Sequence, residues 1–151
     1  MRIQSSILGV VLVLSVPILA SANQPKDPEG ILAALEGFYS AGNIMALENL
    51  YTDDYEFLSQ QGNEVGAEFE LNMKRQLFET NDVTLQFERN FRLKALGEPE
   101  TWVIPSISVT TTAEGDGRRF SVTNVVTLFL RRNPETGYIQ IYRWIEEPTS
   151  D

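Results

Sequence analysis

The sequence predicts an α+β domain: three N-terminal helices packed against a curved antiparallel sheet that closes over them as a cone. Three observations carry this expectation. From about residue 30, apolar residues recur at three- and four-residue spacing; beyond residue 82 the period falls to two; and short glycine-containing turns link the period-two segments. Helices grouped early and strands grouped late put the helices on one face of the sheet.

The ends bound the domain. Residues 1–22, MRIQSSILGVVLVLSVPILASA, read as a cleaved signal peptide: Arg2, an apolar run from Ile7 to Val16, and the small triplet Ala20-Ser21-Ala22, with cleavage expected after Ala22. The run is short beside the roughly 20 apolar residues that span a bilayer, so no stable membrane anchor is expected after cleavage. The chain has 0 cysteines, so it lacks a lipid-anchoring cysteine and cannot form a disulfide in a secreted or periplasmic setting. Without Arg2 the mature chain carries 11 basic against 21 acidic residues, a net −10. Such a surface repels phosphates, which argues against nucleic acid and anionic lipid as partners. About 130 residues suffice for one domain with its own core. We place a flexible leader at 23–29, one domain at 30–147 and a tail at 148–151.

Within that domain, Asp27 or Pro28 opens a first helix whose Ile31, Leu32, Leu35, Phe38 and Tyr39 share a face. Gly42 suits a left-handed helix end and Asn43 caps a short second helix that turns Ile44, Leu47 and Leu50 inward. Tyr55 to Leu58 predict a short strand, with Asp53 and Asp54 in the turn before it. A third helix follows to about Glu79, with Val65, Phe69, Met73 and Leu77 as its apolar face. Alternation then predicts a strand over 83–95, and three more over 101–113, 118–131 and 138–145, as an antiparallel meander. Strands this long must bend, and a bent sheet over helices encloses a cavity suited to a small molecule.

This order of elements, with AGNIMALENLYTDDYEF and the closing GYIQIYRWIEE, resembles the nuclear transport factor 2-like superfamily, a cystatin-like cone shared by ketosteroid isomerases, limonene-epoxide hydrolases, scytalone dehydratases and polyketide cyclases. The resemblance covers essentially the whole mature chain and implies the fold. It also places the isomerases' catalytic roles. Their oxyanion tyrosine falls on Leu35, their general base on Ser59 and their protonated acid on Leu128, none of which performs that proton transfer. The histidine on which the dehydratases and most cyclases rely is missing too, because the chain has 0 histidines.

Pocket candidates are the aromatics Tyr39, Tyr55, Phe57, Phe69, Phe87 and Trp102, and three polar residues that interrupt apolar faces: Arg89, Asn124 and Arg143. Arginines inside a cone would bind a carboxylate-bearing ligand; a bulge would instead turn them toward solvent or toward Glu88 and Glu146. With neither histidine nor cysteine and no calcium or phosphate loop, no metal or cofactor is expected. The leading expectation is a secreted, non-catalytic domain that binds a small apolar or carboxylate-bearing molecule. The alternatives are an isomerase, lyase or epoxide-hydrolase-like enzyme using Asp54, Glu56, Arg89 or Arg143, and a module that forms a homodimer through its outer sheet face; on the last strand Tyr142 and Trp144 share one side and Ile141, Arg143 and Ile145 the other, and one of these sides looks outward.

Overall fold

In the computed structural model, residues 24–148 are described. The expected signal segment, residues 1–22, and most of the tail lie outside them. A single 3₁₀ turn, Pro28–Gly30, leads into helices α1 (Ile31–Ala41), α2 (Ile44–Leu50) and α3 (Ala67–Thr80). The strands are β1 (Tyr51–Leu58), β2 (Glu64–Gly66), β3 (Asp82–Phe87), β4 (Lys94–Ala95), β5 (Thr101–Gly115), β6 (Arg118–Arg132) and β7 (Ile139–Glu146).

The first helical hairpin forms as its residues predict. Gly42 takes φ 61° to close α1, and the Asn43 side chain accepts a hydrogen bond from the Ala46 amide at 3.1 Å to open α2. Leu35 of α1 and Leu47 and Leu50 of α2 are completely buried.

The sheet runs β2-β1-β7-β6-β5-β3, with β4 pairing β5. It is mixed, not purely antiparallel, because β1 pairs β7 in parallel. Two bulges fold it. In β5 the register slips between Ile104 and Ile107, and Ser106 sits at φ 47°. In β7 it slips at Tyr142, so Ile141 lies beside Leu130 and Trp144 beside Leu128. Trp144 therefore shares the inner face with Ile141, while Tyr142 packs outward against Phe129 with ring centroids 5.9 Å apart. This corrects the expected pairing of Tyr142 with Trp144 on one face.

Beyond the β5 bulge, β3 packs on α1 and its end brings Phe87 onto Trp144 of β7, so the two parts of the sheet meet in a crease. The narrow part of the enclosed space is solid: Leu35, Ile104, Ile107, Leu128 and Leu130 are all fully buried.

Other expectations are corrected by the same geometry. The strand expected over 83–95 ends at Phe87 and pairing resumes only at Lys94. Asp53 and Asp54 lie within β1, not in a turn before it: the six residues from Tyr51 to Glu56 lie against the three from Ile141 to Arg143 on β7, so the chain bows outward there. The described part of the leader is docked, not flexible. The Gln24 Nε2 donates to the Ala46 carbonyl at 3.0 Å and the Ile139 amide to the Pro25 carbonyl at 2.8 Å. On α3 the buried residues are Glu70 and Leu71, while Phe69 and Met73 are exposed. The outer sheet face is mixed in character, with Thr110–Thr123 and Thr112–Ser121 hydroxyl pairs beside the Phe129–Tyr142 contact.

One close approach seals the fold behind the helices: a Cβ at Gly115 would overlap the Thr80 carbonyl and the Asn81 side chain. Gly115→Ala is expected to destabilise the domain by about 1–3 kcal/mol through overpacking. Equilibrium urea unfolding should show a lowered midpoint at unchanged m-value.

Candidate functional site

The crease brings together side chains from four elements. Tyr39 projects from α1, Tyr51 and Tyr55 from β1, Glu70 and Lys74 from α3, and Trp144 and Glu146 from β7. The bow in β1 stacks Tyr51 on Tyr55, with centroids 4.3 Å apart and ring planes at 25°. Residues four apart on a regular strand would lie about 13 Å apart, so only the bow permits this stack. Trp144 meets Phe87 across the fold at 6.3 Å. Tyr39 takes the edge of Phe78 at 5.4 Å, and Lys74 Nζ stands 5.7 Å from the Tyr39 ring centroid.

Lys74 and Glu70, one helical turn apart, approach to 3.9 Å with side chains 25% and 8% exposed. Gln60, in the turn after β1, donates to Asn124 Oδ1 at 3.2 Å, and Asn124 Nδ2 donates to Glu146 Oε1 at 3.3 Å. This chain ties the β1–β2 turn to β6 and β7 at the polar end of the crease. Two surface clefts flank the cluster, one of them touching it at Tyr51. One of about 430 Å³ lies between the bow in β1 and α3 and includes Tyr51 and Leu71. Another of about 550 Å³ lies at the end of α3 and includes Leu77.

Electrostatics follow from burial. Burial, then repulsion from Glu146 against the pull of Lys74, raises the Glu70 carboxyl above the usual glutamate range. The Tyr39 phenol, together with Glu70 and Glu146 and against the effect of burial, raises Lys74, which stays cationic. Burial first, and then Glu70 and neighbouring phenols, push Tyr51 and Tyr55 well above their ordinary value, so both keep their protons at neutral pH. Two donors in this region have no hydrogen-bond partner among the described residues: Tyr55 Oη and Trp144 Nε1. Their residues are 2% and 7% exposed. An unpaired buried donor costs about 1–3 kcal/mol, and for these two the described residues supply no acceptor.

The crease collects Tyr39, Tyr55, Phe57, Phe87 and Asn124 from the sequence-predicted set; Phe57 pairs Trp144 in the β1–β7 ladder. It does not collect the others. Phe69 is exposed on α3. Trp102 is half-buried beneath the Arg132 guanidinium, 5.7 Å from its ring centroid. Arg89 lies past the end of β3 and reaches Glu36 at 3.8 Å, and Arg143 reaches Glu56 at 3.9 Å on the outer face. Neither takes Glu88 or Glu146 as its partner. Asp54 engages Arg131 through both carboxylate oxygens, also outside. The arginine–carboxylate pairs considered for an enzyme thus stand away from the crease.

Sequence reasoning missed Glu70, Lys74, Trp144 and Glu146. A signal for the first two exists: Leu71, Lys74, Leu77 and Phe78 follow three- and four-residue spacing, so a lysine interrupts a helical apolar stripe. Trp144 and Glu146 could not be placed without the bulge at Tyr142.

No protein-family model and no curated protein matches this sequence. Solved structures do. A nuclear transport factor 2-like protein of unknown function in nutrient uptake from Rhodospirillum rubrum superposes with a TM-score of 0.69 at 20% identity, covering 82% of this chain and 99% of that one. A nuclear transport factor 2-like protein from Cytophaga hutchinsonii gives 0.62 at 13% identity over 90% and 98% of the two chains. A ketosteroid isomerase-like protein from Erwinia carotovora atroseptica gives 0.59 at 19% over 82% and 94%. The chain therefore has the nuclear transport factor 2-like α+β cone fold.

The raised proton affinity of Glu70 fixes a pH dependence. Below the ordinary value of 4.5, folded and unfolded chains both hold this proton. As pH rises from 4.5 toward the raised value in the fold, the unfolded chain ionises first and stability falls, levelling off above that value. Glu70→Gln removes this fall. Denaturant titrations across pH should show the variant gaining on the wild type through that window, whereas parallel curves would contradict a buried carboxyl.

Proposed function

We propose that this chain is a small-molecule-binding domain that performs no chemistry of its own and receives its ligand in the crease beside Tyr55 and Trp144. The observation that carries this reading is the pair of buried donors without partners, set among the rings of Tyr39, Phe57 and Phe87. Apolar and aromatic walls with a few convergent polar groups are the common form of a small-molecule site.

Two features support binding over catalysis. The positions where the resemblance puts an isomerase's oxyanion tyrosine and protonated acid, Leu35 and Leu128, are both 0% exposed and built into the core. The amine in the crease, Lys74, is held protonated and is therefore a poor nucleophile or base. A secreted or periplasmic setting, expected from the N-terminal sequence, would make such a domain a carrier or sensor of an extracytoplasmic compound.

Trp144 gives a direct readout. The chain holds 2 tryptophans, so Trp102→Phe leaves Trp144 as the sole indole emitter. Protein purified from its native host is expected to release a stoichiometric organic molecule on solvent extraction, and returning that molecule to stripped Trp102→Phe protein should change the Trp144 emission. Release of nothing, with Trp144 emission insensitive to host extract, would refute the binding function.

A further inference from the structure

We propose that the cleft of about 430 Å³ between the bow in β1 and α3 is a second binding site, beside the crease, and that it takes a linear aliphatic diamine. Three carboxylates line it: Glu48 from α2, Asp53 from the bow and Glu68 from the first turn of α3. All three are exposed, and none forms an ion pair among the described residues. Arg75 is the one cation in the lining, and its Nη1 already donates to Asn72 Oδ1 at 2.7 Å. Three carboxylates against one guanidinium leave an excess of two negative charges, which a dication balances.

Charge alone defines no site; Thr52 supplies the rest. It lines the same cleft, the residue is 3% exposed, and its Oγ1 has no hydrogen-bond partner among the described residues. The hydroxyl lies near Asp54, whose carboxyl it holds below the usual carboxylate range, ahead of the contribution from Arg131. Turning its proton toward Asp54 leaves two oxygen lone pairs without a donor. A primary ammonium has three N–H groups, so it meets Thr52 Oγ1 and a carboxylate together; a quaternary ammonium has none to give. A single metal ion fits poorly, because among the described residues no three acidic side chains stand close enough together to hold one. The charge is spread along the cleft, and Ala67 and Leu71 add apolar wall for the methylenes that join two ammonium groups.

Calorimetry on the intact mature chain at neutral pH and low salt separates the possibilities with putrescine, its fully methylated bis-quaternary analogue, butylamine and calcium. Putrescine should bind about threefold tighter than butylamine, the scale of one exposed ion pair, and added salt should weaken it. Asp53→Asn and Glu68→Gln should each weaken putrescine about threefold, and Arg75→Gln should tighten it by about as much. Asp116→Asn, which removes the same charge at the β5–β6 turn, should leave binding unchanged. Thr52→Val should weaken putrescine about tenfold, the scale of a hydrogen bond to a charged donor, and leave the bis-quaternary compound unaffected. Backbone amide resonances of Thr52 and Asp53 should shift as putrescine is added. Should Thr52→Val fail to fold, the ranking of putrescine over its bis-quaternary analogue and the loss in Asp53→Asn still decide.

No binding of putrescine at low salt overturns the assignment. Equal losses in Asp116→Asn and Asp53→Asn mean that the acidic surface attracts the dication diffusely, and overturn it as well. Calcium or the bis-quaternary compound binding as tightly as putrescine refutes the ligand class. Thr52, Asp53 and Glu68 are not among the side chains collected in the crease, so each of these results leaves the binding function proposed there standing.

Discussion

The contact of Phe87 with Trp144 depends on a sheet that cannot be flat. β3 and β7 are separated by β5 and β6, so an uncurved sheet would hold their residues three strand spacings apart, about 14 Å. The ring centroids are 6.3 Å apart. The fold at Pro105–Ser106 makes the difference, and it is held at a cost. A non-glycine residue at φ 47° disfavours the fold by about 1–2 kcal/mol. Local bonds offset that cost: the Ser106 amide donates to Thr127 Oγ1 at 3.1 Å, and the Ser106 and Thr127 hydroxyls both engage Glu147. A strained serine kept in place by dedicated partners is a structural commitment to the crease. The cluster between α1, α3 and β7 exists because that commitment is met.

The crease is an unfavourable place for charge, which bears on what the charged groups are for. A buried lysine–glutamate pair seldom stabilises a fold relative to apolar residues of similar volume, because desolvation offsets the attraction. Leu71, Leu77 and Phe78 show that α3 has apolar residues available for packing inward, yet Glu70 and Lys74 occupy the same side. Together with two orphaned donors, these groups leave the crease more polar than packing alone requires. The bow in β1 shapes the same region. It swings Asp53 and Asp54 into solvent, where Asp54 takes Arg131, and turns Tyr55 inward onto Tyr51. The carboxylates that look most like chemistry in NLYTDDYEFLS are the outer half of a distortion whose inner half is aromatic.

How much of this the sequence reveals depends on the range of the forces involved. The α1–α2 hairpin is legible because Gly42 and Asn43 act within one turn of the chain. The alternating strands are legible for the same reason. The inner face of α3 is not, because Phe69, Met73 and Leu77 form a plausible four-residue series, and what rotates the helix is contact with Tyr39 and the distant sheet. The bulge at Tyr142 is equally silent, since an extra residue in β7 becomes visible only against its partners on β6. Because side-chain direction alternates along a strand, that single slip exchanges the fates of everything beyond it: Trp144 goes in and Arg143 goes out. The expectation of a carboxylate ligand rested on arginines whose register was off by that one residue at β7, and by the early end of β3 at Arg89.

Taken with the neighbours of like fold, these placements suggest how one cone can host unrelated sites. At 13–20% identity the shared feature is a bent sheet over three helices, and fold alone does not carry a reaction. Leu35 and Leu128, where the isomerase resemblance would put polar donors, here complete the solid part of the cone. Polar and ring side chains stand elsewhere on the same elements: Tyr39 lies one helical turn beyond Leu35 on the same face of α1, and Trp144 lies directly across the ladder from Leu128. Filling the narrow part with leucine increases apolar burial, which a chain with 0 cysteines needs in full. The unsatisfied donors Tyr55 Oη and Trp144 Nε1 lie outside that leucine-filled part, in the crease. Apolar packing and the polar groups thus occupy the two ends of one hollow, and the ends are coupled where Leu128 faces Trp144 across the β6–β7 ladder.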